Sequence, residues 1–181
     1  MKRYIALLIV VLFGCSEDDN APGIETCANA SGITAEESNG LVIIEIENTP
    51  FEGDWSLRTA IPEFAGAGYL RWNGENKFNN PGLNTLTYKI NISTSGTYRF
   101  IWKSFIDEGD NNTESNDACL RLPDADNFFG EKNGNRIFPK GSGKSPNPNG
   151  AGKDGWFKVY MNKLDEWVWA ARTSDNDAHD I

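Results

Sequence analysis

Leu86-Thr87-Tyr88-Lys89-Ile90-Asn91-Ile92 alternates apolar and polar residues without a break, and the turn formers Ser93-Thr94-Ser95-Gly96 follow it. Period-two alternation places Leu86, Tyr88, Ile90 and Ile92 on one face of a strand. Thr97-Tyr98-Arg99-Phe100-Ile101-Trp102-Lys103 then returns as a second strand, with Tyr98, Phe100 and Trp102 on a candidate core face. Working outward, Ala118–Leu122, Trp156–Met161 and Glu166–Ala170 alternate in the same way. Upstream, Leu41-Val42-Ile43-Ile44-Glu45-Ile46-Glu47 is β-branched and ends in alternation. No stretch sustains a 3.6-residue period. Short strands between Gly, Asn, Pro and Asp turns predict an all-β sandwich or barrel. Between Pro123 and Gly155 the pattern lapses, which predicts a long loop of the kind that is either functional or disordered.

The chain start follows different rules. Met1-Lys2-Arg3, the apolar run Tyr4–Phe13 and Gly14-Cys15 form a secretory signal over residues 1–14. The run is shorter than the roughly 20 apolar residues of a bilayer-spanning helix. Leu12-Phe13-Gly14-Cys15 resembles the lipobox of bacterial lipoproteins, which implies cleavage before Cys15 and acylation (palmitate among the chains) of that residue. Ser16-Glu17-Asp18-Asp19-Asn20 reads either as an export signal to the outer face of the outer membrane or as a solvated acidic linker. Residues 15–39, polar and without periodicity, read as a tether, and 40–181 as the folded module.

Loss of Lys2 and Arg3 takes the formal charge from −9 to −11. So acidic a chain lacks the basic surface that nucleic acid requires. The expected membrane attachment is therefore the lipid itself. Cys27 and Cys119 read either as one disulfide in an oxidising compartment or as two buried thiols.

Few residues offer chemistry. Gly141-Ser142-Gly143-Lys144-Ser145 contains Gly-Lys-Ser, but position 138 is Phe and Pro146 and Pro148 forbid the helix that a phosphate loop needs. Glu45 and Glu47, at i and i+2 of the expected first strand, point to one face. They suit a calcium ion, a pair of solvated glutamates, or the acid and nucleophile of a glycosidase. His179, the only histidine, has no triad around it. Six tryptophans supply flat apolar faces of the sort that sugar rings stack on. Trp167 and Trp169 share a face. Trp72 precedes the turn Asn73-Gly74-Glu75-Asn76, a loop-adjacent position suited to ligand.

Several segments together resemble family 6 and related carbohydrate-binding modules. They are Ile44-Glu45-Ile46-Glu47, Gly66-Ala67-Gly68-Tyr69-Leu70-Arg71-Trp72, Ser95-Gly96-Thr97-Tyr98-Arg99, Asn116–Leu122, Gly155–Tyr160 and Trp167-Val168-Trp169. The resemblance implies a jelly-roll-like β-sandwich of two antiparallel sheets. It implies structural Ca2+ on Glu45 and Glu47, and polysaccharide or oligosaccharide held by Tyr69 or Trp72 and by Trp167 or Trp169. Asn73 and Asn176 are the candidate polar selectors. Such modules continue past the point where this chain reaches Asp175–Ile181, so the expected sandwich lacks its closing strand. The expected function is non-catalytic glycan binding at the cell surface. The alternatives are an adhesion or assembly lipoprotein completed by a partner's strand and a glycoside hydrolase using Glu45 and Glu47.

Overall fold

The computed structural model describes residues 34–181. The expected signal peptide, Cys15, Cys27 and most of the expected tether lie outside the described residues. The fold is all-β, with strands β1 (Thr34–Glu36), β2 (Trp55–Arg58), β3 (Tyr69–Trp72), β4 (Lys89–Asn91), β5 (Trp102–Ser104) and β6 (Asp117–Leu120) in its first part. The second part adds β7 (Gly130–Lys132), β8 (Asn135–Ile137), β9 (Phe157–Tyr160), β10 (Val168–Ala170), β11 (Arg172–Thr173) and β12 (His179–Asp180).

The main sheet has the order β6-β9-β11-β12-β7-β8 and is antiparallel throughout. Its two faces follow from the alternation. Ala118 faces Val159, Leu120 faces Phe157, Thr173 faces His179 and Gly130 faces Ile137 on the inner side. Phe157, Val159, Ile137, Ala151, Ala171 and Ile181 form the core there, with Phe100, Trp102, Leu120 and Phe128 packed against them. Gly130 is needed at its place: a Cβ there would lie 2.9 Å from Thr173 and 3.1 Å from His179. The outer side carries one cross-strand row over all six strands: Asp117, Tyr160, Arg172, Asp180, Glu131 and Arg136.

Three two-stranded ribbons complete the fold, the antiparallel pairs β2–β3 and β5–β10 and the parallel pair β1–β4. After β10 the chain passes directly into the main sheet as β11, and the alternation slips there. Trp169 is exposed, Ala171 buried, Arg172 exposed and Thr173 buried.

Several expectations are corrected. Leu41–Glu47 is not a strand; Leu41 makes one bridge to Ser38, and Ile46–Asn48 coils into a 3-10 turn. With Leu41 55 % and Ile43 69 % exposed, this β-branched run has no neighbouring strand to pair with, and propensity alone does not make one. Among the described residues strand pairing already involves Thr34, inside the expected tether. Its partner β4 runs parallel to it, and Ile90 on that strand and Ile92 just after it are exposed. The expected loop between Pro123 and Gly155 contains the β7–β8 hairpin, turned by Asn133 and Gly134 with positive φ. Asp175–Ile181 carries β12 into the middle of the main sheet.

Candidate functional site

β10 and β5 pair with Val168 opposite Ser104, Trp169 opposite Lys103 and Ala170 opposite Trp102. Trp167, Trp169 and Lys103 therefore share a face of this ribbon. Trp167 is fixed on several sides. Its Nε1–H donates to the Pro62 carbonyl at 2.7 Å, and its ring meets Tyr69 edge-on at 5.4 Å and Phe105 at 5.3 Å. The Lys103 ammonium lies 5.4 Å from the same ring, held by the Glu63 carbonyl. Phe64 packs against Tyr69 from behind at 6.1 Å. Trp169, by contrast, is 59 % exposed, and Ile101, two residues before Lys103, is 47 % exposed. The result is a rigid aromatic group flanked by an open indole and a cation.

Tyr69 and Trp167 are thus brought together from strands far apart in sequence. Trp72 goes elsewhere: it packs edge-on against Trp55 at 5.2 Å, and its Nε1–H donates to the Glu75 carbonyl. In the β2–β3 ribbon Trp55 faces Trp72 and Arg58 faces Tyr69. Residues an odd number apart point to opposite faces, so the Trp55–Trp72 pair and Tyr69 occupy different sides. Beside Trp55 lies an open depression of about 440 Å³ lined by Pro50, Phe51, Glu52, Trp55, Asn84 and Thr85. The Asn73 amide is engaged by its own fold, donating to Ser56 Oγ at 2.7 Å and to the Asp54 carbonyl at 3.1 Å. Asn176 is exposed between Asp175, paired with Lys158, and Asp177, paired with Lys132; none of these contacts the Trp167 group.

Glu45 and Glu47 converge without being strand neighbours. Both carboxylates reach the backbone of Gly66, where a Cβ would collide with them, and Glu47 accepts the Ala67 N–H at 2.6 Å. Gly66 has a φ of +68°, so glycine suits both the turn and the close approach. The Tyr88 hydroxyl, donating to the Ile46 carbonyl at 2.9 Å, has its pKa pushed up to about 12 by burial and then by the charge of Glu47. The donor chemistry, two hard carboxylates beside a turn, fits calcium. Among the described residues no third His, Cys, Asp or Glu side chain joins them in a metal-holding group.

Cys119 faces Lys158 across β6 and β9, and burial raises its pKa, with Asp117 adding to the shift. Its proposed partner Cys27 is outside the described residues. His179 is 5 % exposed, with Nδ1 against the Asp177 carbonyl, in a structural setting.

Lys103 and Phe105 escaped the sequence reading. The signal for Lys103 was present, because it alternates with Ile101 along a strand whose partner carries the tryptophans. No protein-family model matches the chain, and no curated protein or solved structure is significantly similar to it.

Proposed function

We propose that this chain is a non-catalytic carbohydrate-binding module, held at the outer membrane and facing the cell surface by acyl groups on Cys15. The observation that carries the reading is the open indole of Trp169 on one ribbon face beside Trp167, which Tyr69 of the other ribbon anchors. An exposed indole leaves apolar surface in water, so stacking it against a sugar ring contributes to affinity. Lys103 beside it offers ammonium donors to sugar hydroxyls. Trp167 and Tyr69 act as support, Trp169 as platform. Trp72, Asn73 and Asn176 are not gathered with them, so the binding group is narrower than the six-residue set of the sequence reading.

Glu45 and Glu47 would hold a structural Ca2+ with backbone carbonyls supplying further oxygens, since the ion takes about six to eight. That ion would fix the turn at Gly66, three residues before Tyr69.

Native gels cast with neutral polysaccharides test the proposal. The chain is expected to be retarded by at least one of them, and Trp169→Ala to weaken that interaction about tenfold or about 1.4 kcal/mol, with thermal stability unchanged because the residue is a surface one. Free migration of the folded protein through every polysaccharide would sink it.

A further inference from the structure

The segment after β8 is a built platform rather than a slack loop. Pro139 and Ala151 anchor it in the core. The Asn147 amide donates to the carbonyls of Phe138 and Lys144 at 2.9 and 2.8 Å, the Lys140 N–H to Ala151 at 3.2 Å, and the Gly155 N–H to Lys140 at 2.8 Å. From Ile137 to Lys153 the sequence holds three lysines and no carboxylate, in a chain of formal charge −9. Lys144 ties the platform to its neighbour, donating to Asn127 Oδ1 at 2.5 Å and to the Asp126 carbonyl at 3.2 Å. Lys140 is exposed; Lys153 is half exposed and 3.9 Å from Asp154.

The pairing of Lys140 with Gly155 brings these lysines to the start of β9, where Trp156 sits. One register step beyond the Leu120–Phe157 pair, Arg121 lies opposite Trp156, its guanidinium 6.0 Å from the ring centroid. Arg121 is exposed and makes no ion pair among the described residues. Gly82 lies against the same indole, where a Cβ would stand 3.4 Å from Nε1, so the half-buried Trp156 ring is flanked by Gly82 and by Arg121.

We propose that Trp156, Arg121, Lys140 and Lys153 form a second glycan subsite, which takes an acidic sugar residue bearing a carboxylate or a sulfate ester. The inference rests on the glycan-binding reading and adds a charge class to it. The indole backs the guanidinium, whose fork matches two oxygens of a planar carboxylate or of a sulfate. The flanking lysines add attraction that falls with salt. Elsewhere the acidic surface repels a polyanion, so this face sets the orientation in which one is held.

The test is affinity electrophoresis of the full chain in gels containing polygalacturonate, dextran sulfate or neutral polysaccharides. Retardation by polygalacturonate alone assigns the carboxylate, and by dextran sulfate alone the sulfate ester; either supports the subsite if Arg121→Gln weakens it about tenfold. Lys140→Gln should produce a smaller loss in the same direction, and near-UV circular dichroism establishes that both variants are folded. Unchanged retardation by the acidic polymer in both folded variants overturns the proposal. Retardation by neutral gels only, lost in Trp169→Ala, overturns the acidic subsite and leaves the Trp169 face standing. Retardation by no polymer overturns both.

Discussion

The Glu37 carboxylate accepts hydrogen bonds from the Ser93 hydroxyl, from the Thr94 N–H at 3.0 Å and from the Gly40 N–H at 2.5 Å. These bonds favour the ionised form, the Ser93 hydroxyl most, and bring its pKa from 4.5 down to about 2. The folded value is depressed, so the stability Glu37 contributes is complete above pH 4.5 and is lost as pH falls towards about 2. Glu37→Gln is therefore expected to flatten the fall in urea midpoint between about pH 6 and about pH 3, relative to the parent chain. A carboxyl chemical-shift titration of Glu37 with a midpoint near the ordinary glutamate value would contradict it. Such a side chain is hard to read in a sequence, because two of its three partners lie more than 50 positions away. Trp169 was legible for the opposite reason. Its alternation with Val168 is local, and only the choice between Trp167 and Trp169 as the open ring required coordinates.

Among the elements, β6, β9 and β10 were readable because alternating residues there face a core on one side. Phe157 and Val159 are fully buried, and their neighbours are charged or aromatic on the outer side. The Leu41–Glu47 run misled because β-branched composition scores as strand whether or not a neighbouring strand is present. The β7–β8 hairpin was overlooked for want of apolar alternation, although Asn133-Gly134 is the strongest short turn signal available. The platform that follows makes its own prediction. Asn147 donates to the carbonyls of Phe138, Pro139 and Lys144; in Asn147→Ala the Pro139 carbonyl keeps the Ser142 N–H, while those of Phe138 and Lys144 turn to solvent. The expected cost is about 0.5–1.5 kcal/mol, with faster amide exchange at Phe138 and Lys140, whose N–H groups close the same platform. Unaltered exchange at those two amides would show that the platform does not depend on this side chain.

At the scale of the whole molecule, the last residues join two otherwise separate halves. β12 lies between β11 and β7, with Thr173 facing His179 and Asp180 facing Glu131. Beyond the sheet, the Phe100 N–H donates to the Ile181 carbonyl at 2.8 Å, and Arg99 pairs with Asp180 at 3.0 Å. Ile181 is 8 % exposed within the core cluster. Removing residues 178–181 would therefore strip β7 and β11 of their shared neighbour and open the core beside Phe157. The β7–β8 hairpin would stand alone, and an isolated hairpin is marginal in water. Loss of the cooperative thermal transition is the expected outcome, read by circular dichroism in the aromatic region. The milder Ile181→Ala should keep the fold while costing about 2–5 kcal/mol, the range for emptying a buried aliphatic site. A truncated chain melting with the parent would mean that the two halves of the sheet are held together by something other than β12. The platform bearing Trp156 and Arg121 and the ribbon bearing Trp169 both join this sheet, through β9 and β11, so a loss of β12 should weaken every glycan contact together.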